Sequence, residues 1–256
     1  MAVFEAHGAG QWTPTALAQG PFSGLQGGAV AGLLAGEIEL LAAERSWGEA
    51  LSVSAWFLRP TPLVRLHTEI TPVRAGGRIS IIDNTVWAEG HDQPCAMVRV
   101  TLGIPRAIDM PGFSPPDELT FDPLQDPSSA RAAPHGGPWF MDAMEARTGD
   151  GIGWFRLKED VIAGAGPMAR VLGPADWAHG IFRPLANVVA DPNPNLTVQL
   201  LRAPCGEWIG IEPQTHWHPA NGGGIGGGLI RDCAGVIGRV SMSVALTAFP
   251  GPARLP

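Results

Sequence analysis

The sequence predicts an α+β protein made of two similar halves, each an antiparallel sheet wrapped around a central helix. Three observations support this prediction. The chain contains an internal repeat with a long period, both halves show the same order of elements, and one segment has the pattern of a helix that is apolar on nearly all sides. Each half reads as a short strand pair, then a helix, then a meander of long strands.

The repeat is clearest in two apolar segments that both run into Leu-Arg and then reach a proline, Ser52–Pro60 and Leu196–Pro204. Their arginines, Arg59 and Arg202, lie 143 residues apart. The pairs Trp12 and Trp154, and Met97 and Met242, are separated by nearly the same interval. The alternative is that strands simply share a composition. A period this long indicates a duplicated domain and not a solenoid.

The predicted boundaries are a first half over 1–110, a linker over 111–137 that is rich in Pro, Asp and Ser, and a second half over 138–256. A hairpin opens each half, at Val3–Trp12 and Met141–Lys158. Long strands are predicted at Leu51–Leu58, Leu66–Val73, Arg78–Glu89 and Ala96–Ile104, and again at Leu196–Leu201, Trp208–Trp217, Ile225–Arg231 and Val236–Thr247.

The first helix is predicted to start near Gly28, because the apolar side chains that follow keep a helical spacing: Val30, Leu33, Leu34, Ile38 and Leu41. Gly32 and Gly36 lie on another face, so this helix must be buried on nearly all sides. Glycine lowers helix propensity by about 1 kcal/mol per residue, which close backbone packing would offset. A second helix is predicted over Pro174–Ala190, with a kink at Pro184.

Composition excludes several classes of protein. The net charge is −7, Lys158 is the only lysine and the arginines are scattered, so a nucleic-acid partner is not expected. An acidic chain can still bind an anionic ligand through locally placed arginines or helix N-termini. The three cysteines are widely spaced, and neither a signal peptide nor a long apolar segment is visible. A cytoplasmic protein without a membrane partner is expected.

Other motifs predict less. Gly222–Gly228 satisfies G-x-G-x-x-G, but no helix follows it, so a glycine-rich hairpin strand that lies close to a ligand is a better interpretation than a dinucleotide site. His216 and His218 share one face of a strand and could join Glu212 around a metal, yet no further ligand is evident, so no metal is expected. No G-x-S-x-G is present, which argues against a nucleophile-elbow hydrolase.

The chain resembles the double-hotdog acyl-CoA thioesterases, the family of bacterial acyl-CoA thioesterase II, over nearly its whole length. In the first half the resemblance depends on Gly24-Leu-Gln-Gly-Gly-Ala-Val-Ala and Phe57-Leu-Arg-Pro60. In the second half it depends on Gly173-Pro-Ala-Asp176 and on Leu196–Pro204 with Glu207-Trp208. No Asp is followed five residues later by His near either helix start, a spacing that marks the hydratase branch of these folds.

The resemblance implies a carboxylate near the start of the second helix that activates water, with a hydroxyl residue and a glutamine that assist it. The carboxylate matches Asp176. The hydroxyl position falls at or near Asn193, and the glutamine position falls near Ser243, so both assisting residues depart from the family pattern; Asn195 is a further candidate to hold the water. The alternative for Asp176 is an ordinary helix N-cap. Ser23 is its match in the first half, so one site per chain is expected.

Gln26, Gly27 and Gly28 open the first helix, where unpaired N–H groups and a partial positive charge suit a carbonyl that becomes an oxyanion. The alternative is that these glycines serve packing alone. Together with these residues, the resemblance implies hydrolysis of an acyl-CoA-like thioester by an Asp-activated water, without a cofactor. A homo-oligomer is also expected. The second hypothesis is a non-catalytic protein that binds acyl or other apolar ligands on the same scaffold. His179, three residues after Asp176, could touch it, but such a histidine is more often a structural neighbour.

Overall fold

A computed structural model describes residues 2–113, 136–181 and 189–248. The first half contains β1 (Phe4–Ala6), β2 (Gln11–Pro14), α1 (Gly27–Arg45), β3 (Glu49–Phe57), β4 (Leu66–Arg74), β5 (Ile79–Ala88) and β6 (Ala96–Gly103). The second half contains β7 (Met144–Gly149), β8 (Ile152–Leu157), α2 (Pro167–Ala175), β9 (Val189–Ala190), β10 (Asn195–Leu200), β11 (Trp208–Pro213), β12 (His216–His218), β13 (Gly223–Asp232), β14 (Gly235–Ala245) and β15 (Thr247–Ala248). Most of the predicted linker lies outside the described residues, so the domain boundaries remain a prediction.

The long strands form one antiparallel sheet with the order β1-β2-β4-β5-β6-β3-β10-β14-β13-β11-β8-β7. Read from its centre outwards, the sheet repeats one order on both sides: β3-β6-β5-β4-β2 matches β10-β14-β13-β11-β8. This mirrored order confirms the duplication and the double-hotdog fold. The prediction described two sheets, and the structure joins them edge to edge, because β3 pairs with β10 in the register Val53↔Val198 and Ala55↔Leu196.

The repeat landmarks need one correction. Arg59 and Arg202 follow equivalent strands, as expected. The other two pairs lie in equivalent strands but face opposite sides of the sheet. Trp12 donates to the buried Glu37 on the helix side, whereas Trp154 packs in a separate cluster with Ile152 and Trp208. Met97 is half-buried between the fully buried Ala96 and Val98, while Met242 is itself buried. Because side chains alternate along a strand, a shift of one residue reverses the face.

The second helix differs from its prediction. It spans Pro167–Ala175 and not Pro174–Ala190, and turns follow it up to Ile181. Residues 182–188, including the predicted kink at Pro184, lie outside the described residues. The buried face of α2 includes Met168, Ala169, Val171 and Leu172. Pro167 occupies the first helical position, where a missing N–H costs nothing.

The first helix is buried along its N-terminal two-thirds, as its pattern predicts, and α2 lies against it. A Cβ atom at Gly28 would lie 2.6 Å from the backbone oxygen of Leu172, and one at Gly32 would lie 3.1 Å from that of Ala169. A Cβ atom at Gly36 would lie 2.9 Å from the side chain of Ile162 and 3.0 Å from that of Ala165, in the segment before α2. The glycines of α1 therefore form the contact surface for an antiparallel neighbour, which confirms the interpretation of close backbone packing.

Each helix of this pair receives a carboxylate from the other half at its N-terminus. Glu39 of α1 accepts hydrogen bonds from the backbone N–H groups of Met168 and Ala169, at 2.8 and 3.0 Å. Gly166, the N-cap residue of α2, offers no side chain for this task. In return, Asp176 at the end of α2 accepts from the N–H of Gly28 in α1. Carboxylates at these positions satisfy unpaired N–H groups and complement the helix dipoles.

A third buried carboxylate fixes α1 to the sheet of its own half. Glu37 accepts hydrogen bonds from Trp12 Nε1, Thr68 Oγ1 and Asn84 Nδ2, all at 2.9 Å. Asn84 also donates to the backbone oxygen of Leu34, at 3.0 Å. A buried polar group is tolerated when its hydrogen bonds are satisfied, and this network sets the rotation and depth of α1 against β2, β4 and β5.

The contact between the helices predicts different costs for two glycine substitutions. Gly28→Ala should destabilise the fold by about 1–3 kcal/mol, because its new methyl group meets the backbone of α2, which cannot move without separating the helices. Gly36→Ala is the control, because its methyl group meets the movable end of Ile162 as well as Ala165. Urea unfolding of both variants checks the order. A Gly28→Ala variant as stable as the wild type would contradict the close contact.

Glu39 should make stability depend on pH. Burial raises its pKa from 4.5 to about 7, although the bonds from Met168 and Ala169 oppose that shift. A raised carboxyl pKa means that its contribution to stability is full below about pH 4.5 and is lost as the pH rises through about 7. The stability of the wild type relative to Glu39→Gln should therefore fall by about 2 kcal/mol between about pH 5 and pH 8. Denaturant titrations at both pH values measure this.

Glu44→Gln provides the matched control, because Glu44 is exposed on the same helix. It should leave the pH dependence of unfolding unchanged. If the wild type and Glu39→Gln show parallel stability curves over this pH range, Glu39 does not titrate as its burial implies.

Candidate active site

Asp176 lies at the C-terminal end of α2, where it is the residue that follows the last helical position. The prediction placed it at a helix start, so its interpretation as the N-cap of its own helix is wrong. Its match with Ser23 is also wrong, because Ser23 precedes α1 by four residues. Asp176 nevertheless meets a helix N-terminus, since the antiparallel arrangement brings the end of α2 to the beginning of α1.

The Asp176 carboxylate is buried and accepts three hydrogen bonds from different segments. Its Oδ2 accepts from Gln26 Nε2 at 2.6 Å and from the backbone N–H of Gly28 at 2.9 Å. Its Oδ1 accepts from Asn193 Nδ2 at 2.7 Å. Three of the residues predicted separately from sequence, Gln26, Gly28 and Asn193, thus surround a fourth. A carboxylate offers about four acceptor positions, so one position on Oδ1 remains for water.

The N–H groups at the start of α1 can be accounted for one by one. The N–H of Gln26 donates to Ala18 O at 2.9 Å, that of Gly28 donates to Asp176, and that of Ala29 donates to Gln26 Oε1 at 2.7 Å. Within the three described ranges, the Gly27 N–H alone among these has no protein acceptor. Gln26 is therefore a cap and a link to Asp176, and Gly27 is the free donor of this turn.

Gly27 lies between Asp176 and Phe57. A Cβ atom at Gly27 would be 2.9 Å from the Phe57 ring and 3.1 Å from Asp176 Oδ2. Gly27 is half-buried, whereas its neighbours on both sides are buried. The absence of a side chain lets the carboxylate and the aromatic ring lie close to the backbone beside the free N–H. A carbonyl group that reached this N–H would therefore lie beside the Asp176 carboxylate.

Opposing effects act on the pKa of Asp176. Burial raises the pKa of Asp176 above its ordinary value, and this effect is the largest. The electrostatic interaction with His179 and the hydrogen bonds from Asn193 and Gly28 lower that pKa. A carboxylate with a raised pKa is a stronger base than a solvent-exposed one, so the site favours proton abstraction once the group is ionised.

His179 is more than a sequence neighbour of Asp176, because it belongs to the same electrostatic cluster. Its Nε2 atom lies 3.9 Å from Oδ2 of Asp191, a buried carboxylate that sequence reasoning did not single out. The histidine packs on β13, where a Cβ atom at Gly226 would lie 2.7 Å from its own Cβ. The glycine-rich strand therefore leaves room for the turn after α2. A buried Asp beside a Pro in a loop carries no distinctive sequence signal.

The remaining predicted residues lie elsewhere. Asn195 and Ser243 bond to each other: Asn195 Oδ1 accepts from the Ser243 N–H at 2.7 Å, and Asn195 Nδ2 lies 3.5 Å from Ser243 Oγ. Ser243 is exposed between the buried Met242 and Val244, so its hydroxyl lies on the outer face of the sheet. Asn193 Nδ2 reaches the backbone oxygen of Asn195 at 3.1 Å. The side chains of Asn195 and Ser243 are not brought to Asp176.

The weaker candidates are also placed. Glu212 forms an ion pair with Arg231, and His216 and His218 are exposed on β12. In the part of the chain that the structure describes, no three His, Cys, Asp or Glu side chains are arranged to hold a metal ion, and no helix is both long and apolar enough to cross a bilayer. A surface cavity of about 510 Å³ around His67 and Trp87 is lined by none of the predicted site residues.

Comparison with known proteins finds a similarity to one family in the first half. Residues 18–103 match the family model of the acyl-CoA thioesterase N-terminal domain. This range contains α1 with Gln26, Gly27 and Gly28, and the strands β3 to β6. No curated protein matches the chain at a significant level.

Solved structures share the architecture over nearly the whole chain. A candidate thioesterase II from Thermobifida fusca YX has a TM-score of 0.70 at 14 % identity and covers 95 % of both chains. A candidate thioesterase from Novosphingobium aromaticivorans DSM 12444 has a TM-score of 0.71 at 16 % identity, over 97 % of this chain and all of its own. The acyl-CoA thioesterase II TesB2 from Mycobacterium marinum has a TM-score of 0.62 at 13 % identity, over 97 % and 96 %. At these identities the likeness establishes the fold.

Proposed function

We propose that this chain is an acyl-CoA thioesterase II-like double-hotdog protein and that it hydrolyses acyl-CoA-type thioesters with a water molecule activated by Asp176. The observation that carries the proposal is that Gly27, whose N–H has no protein acceptor, lies beside the Asp176 carboxylate at the start of α1. The first half of the chain supplies the N–H donor at the start of α1, and the second half supplies the base, Asp176. The acyl-CoA thioesterase domain over residues 18–103 supports the same reaction class.

The reaction follows from these groups. The thioester carbonyl oxygen accepts a hydrogen bond from the Gly27 N–H, and the positive end of the α1 dipole favours the charge that develops there. Asp176 Oδ1 accepts a proton from water while the water oxygen forms a bond to the carbonyl carbon. Asn193 holds Oδ1 in place through its own hydrogen bond. The tetrahedral intermediate carries its negative charge on the former carbonyl oxygen.

Collapse of the intermediate breaks the carbon–sulfur bond. The thiolate leaves, and the proton on Asp176 returns to the thiolate or to solvent, which gives a carboxylic acid and a thiol. A thiol has a pKa of about 8.5, so it leaves without the strong acid catalysis that an alkoxide needs. Neither a metal nor a covalent nucleophile is required by this scheme.

We propose an indirect role for Asn195 and Ser243. The hydrogen bonds between them fix the start of β10, and Asn193 lies two residues before Asn195, the first residue of that strand. They position the loop that carries Asn193 and do not hold the water themselves.

The second candidate function, non-catalytic binding of an acyl ligand, is favoured by one observation. Both oxygens of Asp176 already accept hydrogen bonds from the protein, as expected for a structural carboxylate. A thiol-release assay with acyl-CoA substrates separates the two functions, because a binding protein would shift its melting temperature with the ligand and release no thiol.

We infer in addition that the protein works in the cytoplasm and as a homo-oligomer. Cys95, Cys205 and Cys233 are all unpaired, as expected in a reducing compartment. Trp56 and Ile225 are exposed on the outer face of the sheet, which offers an apolar surface to a second copy. Light scattering on the purified protein tests the assembly.

Asp176→Asn should separate catalysis from structure. The amide keeps the size of the carboxylate but removes the base, so turnover should fall by about 10²-fold or more. Stability should change by less than about 1 kcal/mol, because the lost charge-assisted bonds are offset by removal of a buried charge. Asp176→Ala should also cost about 2–4 kcal/mol, since Gln26, Gly28 and Asn193 lose their acceptor. Steady-state thiol release and urea unfolding measure both effects.

The pH profile gives an independent measure of the same residue. Because burial raises the pKa of Asp176, the acidic limb of kcat/KM should lie above the ordinary aspartate value of 3.8. An Asp176→Asn variant with full activity and unchanged melting would defeat the catalytic role. An Asp176→Asn variant that unfolds would identify Asp176 as a purely structural group.

Gly27→Ala should impair catalysis with little loss of stability. The new methyl group would occupy the space beside the free N–H and would press on Phe57, whose ring can move. Alanine also improves helix propensity by about 1 kcal/mol, which offsets that strain. We expect kcat/KM to fall about tenfold or more, since small displacements of the reacting group are costly. If Gly27→Ala keeps wild-type kcat/KM, the Gly27 N–H does not hold the oxyanion.

A further inference from the structure

Two of the three cysteines of the chain lie in neighbouring loops of the second half. Cys205 belongs to the loop that follows β10, and Cys233 belongs to the tight turn that joins β13 to β14. Both are exposed, whereas Cys95 is fully buried. The Cys233 Sγ lies 3.8 Å from the backbone oxygen of Cys205, although 28 residues separate them. A Cβ atom at Gly206 would lie 3.6 Å from the same sulfur.

The side chain of Asp232, the residue before Cys233, ties these two loops together. Its carboxylate accepts hydrogen bonds from the backbone N–H groups of Cys205 and Ala234, at 2.7 and 2.8 Å. It also accepts two hydrogen bonds from Arg202, which belongs to the same loop as Cys205. Burial acts to raise the pKa of Asp232, yet these hydrogen bonds hold it below its ordinary value. A buried, charged anchor therefore fixes the two cysteines relative to each other.

The side chains of the two cysteines also interact. Burial raises the pKa of the Cys233 thiol, and a hydrogen bond with the Cys205 side chain acts in the same direction, as do the electrostatic effects of Cys205 and Asp232. A disulfide requires Cβ atoms about 3.5–4.5 Å apart. Because neither cysteine lies within a strand or a helix, side-chain rotation can bring the sulfur atoms together without displacing the sheet.

We propose that Cys205 and Cys233 form a reversible dithiol site, which small-molecule disulfides such as oxidised glutathione convert into an intramolecular disulfide. The Cys205 thiolate attacks one sulfur of the oxidant, whose S–S bond breaks and releases one glutathione thiolate. The Cys233 sulfur then loses its proton to solvent and attacks the mixed disulfide at Cys205, and the second glutathione leaves. The two cysteines give up two electrons and two protons, and the oxidant is reduced to two glutathione thiols.

This site is separate from the candidate active site. Asn193, which bonds to Asp176, precedes the start of β10, whereas Cys205 lies beyond the end of that strand at Leu200. The inference therefore does not depend on the proposed hydrolysis. Its consequence concerns stability, because the bridge would close a loop of 28 residues and restrict the unfolded chain. Free thiols in the reduced protein agree with a reducing compartment, where disulfides are transient and respond to oxidants.

The test uses the reduced full-length protein, treated with an excess of oxidised glutathione and then mapped by peptide mass spectrometry. We expect a disulfide between Cys205 and Cys233, the loss of two titratable thiols, and complete reversal by dithiothreitol. The melting temperature of the oxidised protein should exceed that of the reduced protein by about 5–10 °C, the size expected for closure of a loop of this length.

Cys205→Ser and Cys233→Ser are the matched variants, and both should fold because each replaces an exposed thiol with a hydroxyl of similar size. Each variant should retain a mixed disulfide with glutathione at its remaining loop cysteine, and neither should show the rise in melting temperature. Cys95 is the internal control, because its buried thiol should stay free in every sample until the protein is unfolded.

Three outcomes would overturn the proposal. The first is wild-type protein that carries glutathione on Cys205 and Cys233 without a bridge between them. The second is a disulfide that joins two chains, or one that includes Cys95. The third is a bridged protein whose melting temperature equals that of the reduced form, because the cross-link would then have no effect on the fold.

Discussion

Gly28, Gly32 and Gly36 allow α1 to lie against the α2 segment, and two carboxylates cross this contact in opposite directions. Glu39 reaches the N-terminus of α2, and Asp176 reaches that of α1. Both bonds depend on an antiparallel approach that larger side chains would prevent. The site is therefore a by-product of the same geometry that buries the helices. A side chain that separates the helices would move Asp176 away from the start of α1 before it disturbed the sheet.

The sequence predicted the architecture well because the strands and the first helix are marked by apolar runs and by a repeated motif. The meander of four long strands predicted for the first half corresponds to β3 to β6, and the apolar run after Gly28 predicted the buried helix α1. The duplicated Leu-Arg segment identified β3 and β10 as equivalent strands, which turned out to be the two that join the halves. Resemblance to a family added Asp176, which local pattern alone would have left as a cap.

The parts that failed depend on information that is not local. The second helix was placed too late because Pro174 and Asp176 resemble a helix start, whereas the chain uses Pro167 for that purpose. The faces of Trp154 and Met242 were missed, since one residue of insertion reverses a strand and leaves its composition unchanged. Glu39 and Asp191 were missed because a carboxylate on a helix or in a loop becomes notable only when another segment buries it.

The pairing of β3 with β10 keeps the two halves of the site together when the protein is diluted. In a hotdog pair made of separate subunits, the residues equivalent to Asp176 and to the start of α1 would part when the subunits dissociate. Here both belong to one polypeptide, and buried pairs such as Val53 and Val198 hold the halves together. The second half is present at a fixed effective concentration, which short tethers set near the millimolar range. Each chain thus carries its own complete pair of half-sites, and the two halves are free to specialise independently.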